Sequence, residues 1–183
     1  TLIDALEAMR LPYLVFINKL DRAGSAYAET LSALKRRLPR TVFPFGAPLR
    51  EGSDACAVAL PGAEEWRETM ATASGDDALV LRLLEDEDVP EAELREALRR
   101  ACLSARAAPV LCGASKLGVG TEPLLDLLAD LFTPDEPDAA GALSGVVYKV
   151  EHDPSAGKLA HIRLFSGSLR SRTGVYLPRT GAE

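Results

Sequence analysis

The sequence of 183 residues contains few cysteines and no long uncharged apolar segment. Its three cysteines, Cys56, Cys102 and Cys112, are odd in number and widely spaced. They indicate reduced thiols in a cytoplasmic protein, and they argue against a disulfide framework or a zinc site. No run of about 18 uncharged apolar residues occurs, so neither a membrane span nor a membrane partner is expected.

The sequence also has fewer basic than acidic residues. The formal net charge is −6, which argues against a DNA partner and against non-specific nucleic-acid binding. Four arginines near the end of the chain indicate either a small basic patch or a solvated strand face. They are Arg163, Arg170, Arg172 and Arg179. The only two histidines, His152 and His161, fall in the same region, where structural roles are favoured over metal binding or catalysis.

The tetrapeptide Asn18–Asp21, of sequence N-K-L-D, follows directly on the apolar run Leu14–Ile17. The Asp21 carboxylate can accept hydrogen bonds from the ring imino group and the exocyclic amino group of guanine, a donor pair that adenine lacks. An unpaired, partly desolvated carboxylate costs roughly 2–5 kcal/mol, enough to reject adenine. Lys19 is predicted to lay its methylene stem on the base, and Asn18 to tie the loop to its neighbours and to the base edge.

An N-K-x-D string is short enough to arise by chance, so its context matters. The preceding apolar run is typical of a parallel strand covered on both faces, and ligands of such sheets lie beyond the carboxyl ends of the strands. A second unit repeats the arrangement, with the apolar run Pro109–Cys112 followed by Gly113–Lys116. The sequence therefore predicts a guanine pocket built from two loops. Its predicted residues are Asn18, Lys19, Asp21, Ala114, Ser115 and Lys116.

These motifs resemble those of a known family. N-K-L-D matches the fourth guanine-nucleotide motif of GTPases, and G-A-S-K resembles the fifth, commonly written S-A-K or G-S-A. The stretches NKLDRAG, PVLCGASKLGVG and VVYKVEHDPSAGKLAHIRLFSGSLRSRTGVYLP are similar to translational GTPases of the elongation factor G type. The resemblance covers essentially the whole chain and is weakest over residues 48–73. It implies GTP or GDP as ligand, and the ribosome, with its RNA and proteins, as partner.

The resemblance leaves open which of two kinds of protein in that family this chain is most similar to. Between the two guanine motifs the chain is shorter than expected for elongation factor G. Glu64–Trp66 and Ser74–Asp77 look more like the tetracycline-resistance ribosomal protection proteins. The resemblance thus implies either a role in elongation or protection of the ribosome from tetracycline.

One departure from the family pattern concerns the second loop, where Ala114-Ser115 stands in place of Ser-Ala. The resemblance implies that the backbone N–H of Ser115 binds the keto oxygen of guanine, and this contact survives the exchange. A loop-fixing hydrogen bond from a serine at position 114 is expected to be lost, which would weaken nucleotide affinity.

The phosphate-binding patterns of the family are missing. No G-x-x-x-x-G-K-S/T occurs, and the D-x-x-G segment expected for magnesium and switch function is predicted to be absent too. No catalytic residue and no metal ligand is therefore expected in this chain, and magnesium would be bound by segments outside it. We expect a piece of a longer GTPase that is inactive alone. The alternative is a binding or structural module without nucleotide function.

The predicted fold is α/β, a partial three-layer sheet of the P-loop GTPase type followed by the first strands of an all-β barrel. The apolar content of 47% allows one or two domains with a core. Residues 1–134 are predicted to belong to the GTP-binding domain, 135–142 to a linker and 143–183 to the barrel. Within these, the pattern predicts a hairpin or irregular segment over 48–62, a helix capped by Thr121, and a third barrel strand over 174–177.

Overall fold

The computed structural model describes residues 2–132 and 138–176. The chain divides into two compact units, residues 1–133 and 134–183. The helices are α1 (Leu2–Ala8), α2 (Tyr27–Arg37), α3 (Ala63–Ser74), α4 (Asp77–Leu84), α5 (Glu91–Leu103) and α6 (Thr121–Phe132), and a 3-10 turn covers Ser115–Leu117. The strands are β1 (Val15–Ile17), β2 (Thr41–Pro44), β3 (Ala47–Leu49), β4 (Ala57–Ala59), β5 (Ala107–Cys112), β6 (Ser144–Asp153) and β7 (Gly157–Ser166).

A parallel sheet of order β1-β5-β2 forms the centre of the first unit. All six residues of β5 are buried, as expected for an apolar strand with a neighbour on each side. The residues of β1 are only half-buried, which corrects the expectation of a fully covered strand. The reason is its position, since among the described strands β1 pairs with β5 alone.

Helices cover both faces of this sheet. Because side chains alternate along a strand, Val110 and Leu111 of β5 point into different layers. Val110 packs with Leu31 of α2 and Ile3 of α1. Leu111 belongs to a larger core, whose helical members include Met70, Leu79, Leu94, Leu98, Leu127 and Leu131. The predicted α/β fold class is confirmed.

The segment over 48–62 contains a small antiparallel hairpin, β3–β4, with Pro48 paired with Val58. Its strands have three residues each, too short for an alternating pattern to be visible in the sequence. Trp66, the only tryptophan of the sequence, packs against two phenylalanines. Its ring centroid lies 4.7 Å from that of Phe45 and 6.4 Å from that of Phe43.

The start of α6 differs from the prediction. Thr121 is the first helical residue, and its hydroxyl donates to the carbonyl of Gly118 at 2.6 Å instead of capping a helical N–H. The position before the helix therefore falls on Gly120, whose carbonyl accepts from Leu124 N at 3.3 Å. Leu127 and Leu131 on this helix are buried, whereas Leu128 is 37% exposed.

The second unit contains the antiparallel pair β6–β7, connected by a turn in which Asp153 accepts the N–H groups of Ser155 and Ala156. Most side chains of both strands are exposed. Residues 174–176 have no strand pairing, which contradicts the predicted third strand over its described part. Residue 177 lies outside the described residues, as do 135–137 of the predicted linker.

No helix within 2–132 or 138–176 has the length and apolar content needed to cross a membrane.

A buried arginine joins α1 to the start of β2. The Arg40 side chain is 2% exposed, and its Nη2 donates to Glu7 Oε2 at 2.8 Å. Its guanidinium carbon lies 4.1 Å from the centroid of the Tyr13 ring, and the Tyr13 hydroxyl donates to the same carboxylate. The hydrogen bond from Arg40 is the main reason that the pKa of Glu7 lies below its ordinary value of 4.5.

This pair predicts acid-sensitive stability. A carboxyl with a lowered folded-state pKa stabilises the fold above its ordinary pKa and loses that contribution as the pH falls through the folded-state value. At pH 7, Glu7→Gln should lower the free energy of unfolding by about 1–3 kcal/mol. The difference from wild type should shrink towards zero as the pH falls through the folded-state pKa of Glu7, as followed by urea denaturation. Glu29→Gln, an exposed carboxylate on α2, is the control, and an unchanged difference at acid pH would contradict the assignment.

Candidate guanine-nucleotide site

The sheet register brings the two predicted loops together. Ile17 at the end of β1 pairs with Cys112 at the end of β5, so both parallel strands stop at the same level. The loops that follow leave the sheet side by side. Two backbone hydrogen bonds connect them, from Gly113 N to Ile17 O at 3.0 Å and from Leu20 N to Gly113 O at 3.1 Å.

The Asn18 side chain connects the same loops. Its Oδ1 accepts the backbone N–H groups of Lys19 at 2.8 Å and of Ser115 at 3.0 Å. Its Nδ2 donates to the Ser115 hydroxyl at 2.9 Å. Asn18 is the only asparagine of the sequence, and one amide side chain here provides both an acceptor and a donor.

The exchange of Ser-Ala for Ala114-Ser115 leaves the loop anchored. The Ala114 side chain is fully buried and packs in a small core with Leu20 and Cys112. The hydroxyl expected at position 114 is replaced by that of Ser115, which accepts from Asn18. The predicted loss of a loop-fixing bond is thus offset. The Ser115 N–H already has an acceptor in Asn18, so a guanine oxygen must share or replace it.

Two glycines close the second loop. A Cβ at Gly113 would lie 2.2 Å from the Val119 carbonyl oxygen and 2.6 Å from the Phe16 ring. A Cβ at Gly120 would lie 2.3 Å from the Cys112 oxygen, and its φ is +79°. Both positions therefore require glycine. Between them, Ala114 and Val119 exchange backbone hydrogen bonds, so the loop is a closed, rigid turn.

A cavity of about 400 Å³ opens beside these loops, with Asp21 and Lys116 among its lining residues. The Asp21 side chain is only 11% exposed, and its Oδ2 lies 3.4 Å from Arg22 Nε. The turn of the β3–β4 hairpin, residues 52–54, forms another part of the wall. The sequence did not reveal this contribution, because nothing in the residues of the turn indicates where it packs.

The six predicted site residues therefore do not all line the cavity. Asp21 and Lys116 line the cavity, while Asn18 and Ser115 join its two loops. Ala114 lies beneath the loops in the core, and Lys19 is exposed with a left-handed backbone, φ +69°. Asp21–Gly24 also spells D-x-x-G, and the structure places this string inside the guanine loop and the turn after it, where Arg22 N donates to Lys19 O.

The remaining reactive groups give no sign of a second chemistry. Over the described residues, no three His, Cys, Asp or Glu side chains are placed to hold a metal ion. The three cysteines are free and buried. Burial raises the pKa of Cys102 to about 12 and that of Cys112 to about 11, so both thiols stay protonated at neutral pH.

Comparisons with known proteins place these observations in a family. The model of the elongation factor Tu GTP binding domain matches residues 1–134. Elongation factor G 1 of Treponema denticola is 28% identical over 91% of this chain, and elongation factor G of Dehalococcoides mccartyi is 29% identical over 91%. The chain spans about a third of the length of these relatives, 32% and 31% respectively.

A solved structure agrees with this assignment. A crystal structure of a Thermus thermophilus protein superposes with a TM-score of 0.68 at 25% identity, covering 90% of this chain and 29% of that one. The fold is that of part of a GTPase domain followed by the start of a β domain. The chain belongs to the elongation factor Tu GTP-binding domain family, a family of GTP-binding translation elongation factors.

The bridging role of Asn18 predicts a specific loss of stability. Asn18→Ala removes the three hydrogen bonds that its side chain makes and should lower the free energy of unfolding by about 1–2 kcal/mol. Asn18→Asp keeps the acceptor oxygen and can accept from the Ser115 hydroxyl, so it should lose less. Urea denaturation measures both variants, and equal losses would contradict the bridge.

Proposed function

We propose that this chain is the guanine-recognising part of a cytoplasmic, ribosome-associated translational GTPase. One observation carries the proposal, namely that Asn18 and Ser115 join two loops beside a single cavity that Asp21 and Lys116 line. A carboxylate with little exposure, held at the rim of such a cavity, favours a ligand that offers two adjacent donors.

In this proposal the two loops divide the recognition of the base. Asp21 accepts the imino and amino protons of guanine, which take the place of Arg22 at the carboxylate. The Ser115 N–H donates to the keto oxygen, which shares this donor with Asn18 Oδ1 or replaces that oxygen. Lys19 and Lys116 cover the base with their methylene stems while their ammonium groups stay in water.

The chemistry of GTP hydrolysis is assigned to other parts of the longer protein. The sequence of this chain has no P-loop pattern, and no three His, Cys, Asp or Glu side chains among its described residues are placed to hold a metal ion. Magnesium and the phosphates would therefore be held by segments that this chain does not include. The residues present here bind and orient the base, which decides which nucleotide is hydrolysed.

An elongation role of the elongation factor G type is favoured by the two relatives described above, both of which carry that name. Protection of the ribosome from tetracycline is the second candidate, supported by the stretches Glu64–Trp66 and Ser74–Asp77 and by a short connection between the guanine motifs. The alignment with the Treponema protein has 216 positions, more than the 183 residues of this chain. This chain is therefore the shorter over the matched region.

A translation assay separates the two roles. If the full-length protein serves elongation, it should support translocation on ribosomes without drug and give no rescue of translation in tetracycline. Rescue of tetracycline-inhibited translation, without translocation activity, would reverse that assignment.

Asp21→Asn in the full-length protein should abolish the preference for GDP over ADP with little loss of stability. The amide replaces one acceptor by a donor and so opposes one of the two guanine protons, a mismatch that costs roughly 2–5 kcal/mol. Xanthosine diphosphate, which has a carbonyl in place of the amino group, should bind the variant better than it binds wild type.

Asp54→Asn is the matched control, because Asp54 lines the same cavity from the hairpin turn and loses the same charge. Isothermal titration calorimetry measures all three nucleotides. Unchanged GDP affinity in Asp21→Asn would refute the base-recognition role and favour a module without nucleotide function.

A further inference from the structure

We infer that Glu51 is a positioning residue for guanine recognition, acting by fixing the segment that contains Asp21. The inference rests on the proposed function and extends it to a residue outside both guanine loops. Glu51 lies in the turn of the β3–β4 hairpin, at the side of the cavity formed by residues 52–54.

The first observation concerns the start of α2. The first N–H groups of a helix have no partner within it and need an external acceptor. Ala26, at the N-cap position, has no side-chain hydrogen bond to offer. The Glu51 carboxylate supplies the acceptor from 24 residues away, with Tyr27 N donating to Glu51 Oε1 at 2.8 Å. A negative charge at this end of the helix is also favourable for the helix dipole.

The second observation concerns the neighbouring residue. Gly52 N donates to the carbonyl oxygen of Leu20 at 2.8 Å. Leu20 directly precedes Asp21 and is 1% exposed. Two consecutive residues of the hairpin turn, Glu51 and Gly52, therefore hold the two ends of the segment 20–27, and Asp21 lies inside the segment that they clamp.

The hairpin has a separate anchor at its base. The Tyr27 hydroxyl donates to the Gly46 carbonyl at 3.0 Å, and the Tyr27 side chain is buried. The strands β3 and β4 also pair through three residues each. Loss of the Glu51 carboxylate should therefore release the tip of the hairpin and leave its base and ladder in place.

A change at Glu51 should act on base selectivity more than on folding. A loosened segment lets Asp21 drift from the geometry needed for two simultaneous hydrogen bonds. Inosine diphosphate lacks the exocyclic amino group and makes only one of them. The ratio of GDP to IDP affinity therefore reports the position of Asp21, whereas a general loss of stability would not change it.

The experiment compares Glu51→Ala, Glu51→Gln and Glu29→Ala in the full-length protein, with GDP, IDP and ADP as probes in calorimetry. Glu51→Ala should weaken GDP binding roughly three- to tenfold, the range expected for loss of a helix cap, and lower the GDP-to-IDP ratio. Glu51→Gln keeps an acceptor for Tyr27 N and should stay near wild type. Glu29→Ala removes the same charge from the first turn of α2 and should have no effect on the ratio.

Amide hydrogen exchange over residues 20–27 provides a readout that needs no nucleotide, and it should be faster in Glu51→Ala only. Unchanged exchange and an unchanged GDP-to-IDP ratio in Glu51→Ala would overturn the inference, as would Glu51→Gln behaving like Glu51→Ala. A wild type without preference for GDP over ADP overturns the proposed function instead, and hydrogen exchange then still decides whether Glu51 anchors the segment.

Discussion

The amide side chain of Asn18 is the constraint on which the candidate site depends. The parallel register of β1 and β5 brings two loops to one end of the sheet, where two backbone hydrogen bonds and the Asn18 side chain connect them. Asn18 accepts from the N–H groups of both loops and donates to the Ser115 hydroxyl. One short planar amide with an acceptor and a donor thus reaches partners in both loops, and these loops lie beside the cavity.

The second loop illustrates how a family pattern is kept while its residues change. Ala114 fills a fully buried position, where a hydroxyl would need a partner that its apolar neighbours do not offer. The hydroxyl stands one residue later, at the surface, where Asn18 reaches it. The two-residue exchange therefore preserves the connection between the loops, and the membership of the chain in its family does not depend on the order of serine and alanine.

Much of the fold and about half of the site follow from local sequence rules. The two loops were predictable because apolar strands of a parallel sheet end at one edge. The hairpin β3–β4 has strands too short for any period. Thr121 was expected to cap α6, but the helix begins at Thr121 itself, so the position before the helix falls on Gly120. The contact of Glu51 with α2 joins residues 24 apart, and no pattern in the sequence indicates it.

The clamp on the segment 20–27 has a consequence for how this protein can vary in length. Two adjacent hairpin residues, Glu51 and Gly52, hydrogen-bond to the two ends of that segment. One inserted or deleted residue inside the segment would break one of these hydrogen bonds or change the orientation of the Asp21 side chain. The eight residues 20–27 around Asp21 are therefore expected to keep a fixed count.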